Sequence, residues 1–178
     1  MEEKPRSVAM HALYYGLITG AAMIIFSLIL YIADLYMNRT LGYLAILLLI
    51  GGMVWGTLEY RKSALNGFMS YGKAFSMCFL IALFAAILSA IYTYVFADFI
   101  NPNFSQEILD NAREEMMNSG RPMTDEQMEQ ALSWTERFTT PVMMALWSLI
   151  MYVFFSAILS LIVAIFLKKE DKSLKTAI

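Results

Sequence analysis

In the stretch "GFMSYGKAF", Gly67 and Gly72 are separated by four residues and followed by Lys73. That is the spacing of a phosphate-binding loop, G-x-x-x-x-G-K-[ST]. Such a loop cradles phosphate with backbone N–H groups, reaches it with the lysine and holds Mg²⁺ with the last hydroxyl. Here the last position is Ala74, which has no hydroxyl. Residues 61–65 do not read as a strand, and the run after Lys73 is apolar enough to enter lipid. No nucleotide is therefore expected. The same residues suit a point of membrane entry: Asn66–Gly67 for a turn, Ser70 as an N-cap, and Phe68, Tyr71 and Phe75 at headgroup level. A cation in a helix's first turn opposes the helix dipole by about 0.3–1 kcal/mol. Near an anionic leaflet each basic residue gains about 1 kcal/mol. Arg61, Lys62, Tyr71 and Lys73 are the candidate headgroup contacts.

The other chemically able residues are scattered. Cys78 is the single cysteine and His11 the single histidine, so neither an intramolecular disulfide nor a histidine-rich metal site is available. Met116, Met117, Met123 and Met128 carry thioethers that suit Cu(I), but methionine is also the flexible filler of cores, and no Cys or His accompanies these four. Filling is the expectation. Asp34, Glu59, Lys73 and Asp98 lie at the ends of apolar runs, and the polar groups inside those runs are hydroxyls: Thr19, Ser27, Ser89, Ser156 and Ser160. Hydroxyls of this kind are expected to bond to their own helix backbone. No Ser/His/Asp, Cys/His or paired-carboxylate set converges by spacing. No enzyme activity, cofactor, metal or nucleic acid is expected.

The elements that carry these residues are apolar helices. The 178 residues are 59% hydrophobic and 16% charged, well under the roughly 25% charged of a soluble domain. Four runs, 12–33, 41–58, 74–97 and 141–167, are each long enough to cross a bilayer, which takes about 20 helical residues. None has a charge in its interior. The first exceeds the length of a signal-peptide core and has no cleavage site after it, so it reads as a retained span. Nine of the 13 Lys and Arg fall at the N-terminus (Lys4, Arg6), between the second and third runs (Arg61, Lys62, Lys73) and in the tail (Lys168, Lys169, Lys172, Lys175). The positive-inside rule then places both termini and the middle loop in the cytoplasm. Residues 98–140 are placed outside. The expected fold class is all-α: a single membrane domain with four transmembrane helices and a two-helix extracytoplasmic lid between the third and fourth.

Inside that outer segment, Pro102 ends the third run. Ile108, Leu109, Ala112 and Met116 mark one amphipathic helix, stopped by Gly120 and Pro122. Thr124 with Gln127 forms a capping box for a second helix, whose apolar side holds Met128, Ala131, Leu132 and Phe138. Thr140–Pro141 opens the fourth span. Each short helix has an acidic face, which argues against anionic headgroups as its ligand. A lid packed on the bundle is the plain expectation, and a docking surface for an envelope protein is the functional one.

Small residues recur along every span: Gly16 and Gly20, Gly52 and Gly56, Ala82, Ala86 and Ser89, Ser156 and Ser160. They let helix backbones approach closely, as packing in lipid requires. They are assigned to packing within the bundle, with a homodimer face as the alternative.

The layout of four spans, "GFMSYGKAF" before the third and a long acidic segment before the fourth resembles a bacterial family known as domain of unknown function 4199. The resemblance runs from about residue 12 to 169. It implies a small polytopic inner-membrane protein and brings no activity, cofactor or site residue. The reading is a non-enzymatic accessory or partner-binding protein in contact with the lipid bilayer. A small oligomeric channel or carrier for a neutral or small solute is the alternative.

Overall fold

Ser7 begins the first helix by accepting a hydrogen bond from the Met10 N–H, one of the amides a helix start leaves unpaired. In a computed structural model describing residues 7–118 and 124–169, helix α1 (Val8–Ile32) therefore starts four residues before Ala12. Lys4, Arg6, Gly120, Arg121, Pro122, Met123, Lys172 and Lys175 lie outside the described residues. Helix α2 (Arg39–Ala64) starts where Asn38 Oδ1 accepts from the Thr40 and Leu41 amides. It continues six residues past Leu58, because Arg61 and Lys62 in its last turn complement the negative end of the dipole. Asn66 and Gly67 then turn the chain with φ of 50° and 86°. An L-residue at Gly67 would be strained at that φ, which is why a glycine stands there.

Helix α3 (Tyr71–Val95) runs into a π-helical turn, Phe96–Ile100. Pro102 disfavours helical geometry in the residue before it, and Asn101 accordingly leaves the helix at φ −130°, ψ 80°. Helices α4 (Phe104–Asn118), α5 (Asp125–Phe138) and α6 (Pro141–Leu167) follow. The capping box is formed, with the Gln127 amide donating to Thr124 Oγ1 at 3.3 Å and the Thr124 amide to Gln127 Oε1 at 3.1 Å. Thr124→Ala is expected to destabilise α5 by about 1 kcal/mol, read as faster amide exchange through its first turn. Unchanged exchange there would count against the cap.

Among the described residues the structure is helical without strands, apart from one isolated bridge between Met69 and Lys169. Val8–Ile32, Thr40–Ala64, Tyr71–Ile100 and Pro141–Leu167 are long and apolar enough to cross a membrane. Half of the third apolar window is buried, against 22% in each of the others, so α3 is the central helix. Outward faces carry Ile25, Ile29 and Ile32 on α1, Tyr43 and Leu47 on α2, and Leu161, Ile162, Ile165 and Phe166 on α6, all exposed. Apolar surface on that scale is untenable in water, where a monomer's largest patch is about 300–600 Å². The protein is a multi-pass membrane protein whose exposed helix faces contact lipid.

The chain packs as two units. One contains residues 1–89 and 151–178, the other residues 90–150. In the first, α1 and α2 run antiparallel: His11 meets Gly56, and Thr19 meets Gly52. Helix α3 runs parallel to α1, with Gly16 against Ile81 and Phe84, and Gly20 against Ala85 and Leu88. Its core holds Met53, Met77, Cys78, Ile81, Ala82 and Ala85. In the second unit, α4 packs on α5 and Phe96 sits edge-on against Phe104 at 5.1 Å.

Candidate functional site

The helices of the first unit meet where side chains are missing. A Cβ on Gly16 would stand 2.6 Å from Phe84 Cβ, and one on Gly56 2.8 Å from Tyr15 Cβ. The Thr19 side chain fills the space over Gly52, and its hydroxyl donates to the Tyr15 carbonyl at 2.7 Å. Gly20 is close-packed as well, with Leu88 Cδ2 3.0 Å from the position of a Cβ. Ala82, Ala86 and Ser89 are buried along α3, and Ser156 and Ser160 along α6. The hydroxyls of Ser156 and Ser160 make no hydrogen bond among the described residues. That differs from the expectation of backbone bonding, which Thr19 does follow.

One end of this unit gathers its polar side chains. His11 is buried, with Nε2 3.1 Å from the Gly56 carbonyl. A carbonyl only accepts, so Nε2 carries the proton in this pair. The imidazole stacks on Tyr15 at 4.7 Å and meets the edge of Tyr60 at 5.1 Å. Thr57 Oγ1 lies 3.3 Å from Cys78 Sγ, both fully buried. Arg61 donates from its terminal nitrogen to the Leu167 carbonyl at 2.8 Å, while its Nε is buried without a partner. Tyr71 donates its hydroxyl to the Leu161 carbonyl at 3.2 Å. Met69 and Lys169 exchange two backbone bonds of 2.8 Å, and the Lys169 ammonium stands 5.6 Å over the Phe68 ring.

Of the four candidate headgroup contacts, Lys62 and Lys73 are exposed, whereas Arg61 and Tyr71 direct a donor to the α6 backbone. The Gly67–Lys73 pattern starts in the connection after α2, which ends at Ala64, and runs into the first turn of α3, which starts at Tyr71. The side-chain bonds of His11, Thr57, Arg61 and Tyr71 each tie one helix to another. The Met69–Lys169 bridge joins the α2–α3 connection to the residues after α6, so the arrangement fixes helix ends. The sequence gives no sign of His11's role, since its partner is a backbone carbonyl 45 residues away.

The second unit holds an open groove of about 570 Å³ between α4 and α5. Leu109, Met128 and Leu132 line it together with Asp110, Asp125, Glu129, Glu136 and a single guanidinium, Arg113. The ends of the pair are held by Asn101 Nδ2 donating to Glu107 Oε2 at 3.1 Å and by Ser105 Oγ donating to the Thr139 carbonyl at 2.6 Å. Among the described residues, no three His, Cys, Asp or Glu side chains gather closely enough to hold a metal ion. The acids are spread along an apolar floor. Two acidic helix faces are legible in the sequence, but their convergence on one groove is not.

The model of a family described as "Protein of unknown function (DUF4199)" matches residues 14–169. The chain belongs to this family. The match takes in α1 from Tyr14 onward, the other three membrane-spanning helices and the α4–α5 pair. It also takes in "GFMSYGKAF" and begins three residues after His11. No curated protein and no solved structure matches the chain.

Proposed function

We propose that this DUF4199 protein is a non-enzymatic accessory protein of the bacterial plasma membrane. Its α4–α5 pair would receive a basic, amphipathic segment of an envelope partner. The groove carries this reading: an apolar floor of Leu109, Met128 and Leu132 beside four carboxylates and one guanidinium. An apolar floor takes the greasy face of an amphipathic helix, and the acids favour Lys or Arg along its edge. The Lys and Arg distribution supports cytoplasmic termini and an outward groove.

A photo-crosslinker at Ser133, in the full chain in native membranes, is expected to capture a reproducible partner. The double variant Glu129→Lys, Glu136→Lys is expected to reduce capture at least about tenfold, equivalent to about 1.4 kcal/mol. No reproducible adduct, or an adduct indifferent to charge reversal, would count against the proposal.

The two unpartnered hydroxyls favour a second reading. Ser156 and Ser160 lie one turn apart on α6 and are fully buried. In an oligomer they would supply polar contacts to a small neutral solute. Solute flux in proteoliposomes that is lost in Ser156→Ala, Ser160→Ala is the result that would favour it.

A further inference from the structure

Helix α5 has a second face, and it differs from the groove in both shape and charge. At about 100° per residue, Met128, Glu129, Leu132 and Glu136 fall within about 60° of Asp125, on the groove side. Trp134 and Phe138 fall roughly 180° and 220° from Asp125, on the opposite side. Their neighbours there are Gln127, Gln130, Ala131 and Arg137, and the nearest carboxylate on α5, Glu126, borders this face at about 100°, about two turns before Trp134. Of the four acids on α5, Asp125, Glu129 and Glu136 line the groove, so most of the acidity that argues against lipid binding by this segment lies on the side away from the aromatic rings.

The opposite side presents an exposed aromatic row. Trp134 and Phe138 stack at 6.4 Å, and Phe138 meets Trp147 at 6.3 Å. The three rings are 56%, 47% and 54% exposed. Arg137 lies 5.7 Å over the Trp134 ring, a cation–π contact that keeps its charge beside the row. The row ends on the exposed apolar face of a spanning helix, where Val142, Met143, Leu146 and Ile150 surround Trp147. Phe138 precedes Pro141 by three residues yet touches a ring nine positions further on, so the end of α5 folds back beside α6. It thus reaches the depth of Trp147. Tryptophan concentrates at membrane–water interfaces, where its ring is apolar and its N–H is wet.

We infer that α5 is an interfacial helix: Trp134, Phe138 and Trp147 form one row seated in the headgroup–acyl boundary of the phospholipid bilayer, with Arg137 placed for lipid phosphate. The occupant of this face is the membrane itself, because the row is continuous with a helix face that already contacts lipid. The groove stays on the other side of α5, and the inference holds whatever fills it. Anchoring of this kind buries an apolar face about 5–10 Å into the boundary.

The test uses the full chain with Trp55→Phe and Trp147→Phe, leaving Trp134 as the only tryptophan, reconstituted in phosphatidylcholine vesicles. Emission is expected to fall at least about twofold when the lipid is brominated near the glycerol end of its acyl chains, and to respond little to aqueous iodide, as a depth of about 5–10 Å requires. A separate chain keeping Trp147 alone should give the same pattern, which checks the depth without the Trp147→Phe change. Quenching of Trp134 by iodide but not by brominated lipid would overturn the inference, since the ring would then face water. Quenching by neither would also overturn it, by showing that a second copy or another protein covers the row.

Discussion

Gly16→Ile is expected to abolish the folded bundle, while Gly51→Ala leaves it intact. Both glycines lie inside apolar helices, so propensity alone would treat them alike: each is roughly 0.5–1 kcal/mol worse than alanine in mid-helix. The structure separates them. A Cβ on Gly16 would stand 2.6 Å from Phe84 Cβ and 2.8 Å from the Ile81 carbonyl oxygen, closer than real Cβ atoms approach. The carbonyl belongs to the α3 backbone and cannot rotate away as a side chain can. Gly51 has nothing within 4 Å of the same position. Gly16→Ala alone should cost about 1–3 kcal/mol by overpacking, and isoleucine, with three further carbons, should prevent α1 from docking. In lipid no hydrophobic drive between helices makes up the loss, because association rests on close packing. Size-exclusion behaviour and thermal unfolding in detergent read the difference. A Gly16→Ala protein as stable as the parent would sink the assignment of this interface.

The same residues show what was legible in the sequence. Apolar length places all four spans, and Pro102, Thr124 with Gln127, and Pro141 place the breaks between α3, α4, α5 and α6. Span ends are less legible, since hydropathy falls before the helix stops. Glu59, Tyr60, Arg61 and Lys62 continue α2 as polar or amphipathic residues past the last aliphatic one. Partners are the least legible, because the acceptors are main-chain carbonyls that every residue has. His11 meets Gly56, Arg61 meets Leu167 and Tyr71 meets Leu161, each joining segments far apart in the chain. Thr19 bonds its own helix, whereas Ser156 and Ser160 do not, and rotamer choice at such positions depends on which neighbour covers them. The acids of α4 and α5 are obvious as composition. Only the rotation of one helix against the other brings Asp110, Asp125, Glu129 and Glu136 to one groove.

Arg61 combines two roles that composition reads as one. By charge it belongs to the basic cluster between the second and third spans, which the positive-inside rule would place in the cytoplasm. By geometry its guanidinium donates to the Leu167 carbonyl, one of the acceptors that the end of α6 leaves without an intrahelical partner. Met69 and Lys169 pair two residues beyond that carbonyl, so the Arg61 bond and the backbone bridge together fasten the α2–α3 connection to the end of α6. Arg61→Ala is expected to destabilise the protein by about 1–3 kcal/mol, the range for a half-buried acceptor losing a charged donor. Arg61→Lys separates the two roles. Lysine keeps the charge, so orientation in the membrane should be unchanged in a terminal-tag accessibility assay. Its single ammonium lacks the planar fork that reaches Leu167 past a buried Nε, so most of the stability loss should remain. Hydrogen exchange is the finer readout: the last turn of α6 should open in both variants while the α1–α2 interface stays protected. Full stability in Arg61→Lys would assign Arg61 to charge alone and remove the fastening role.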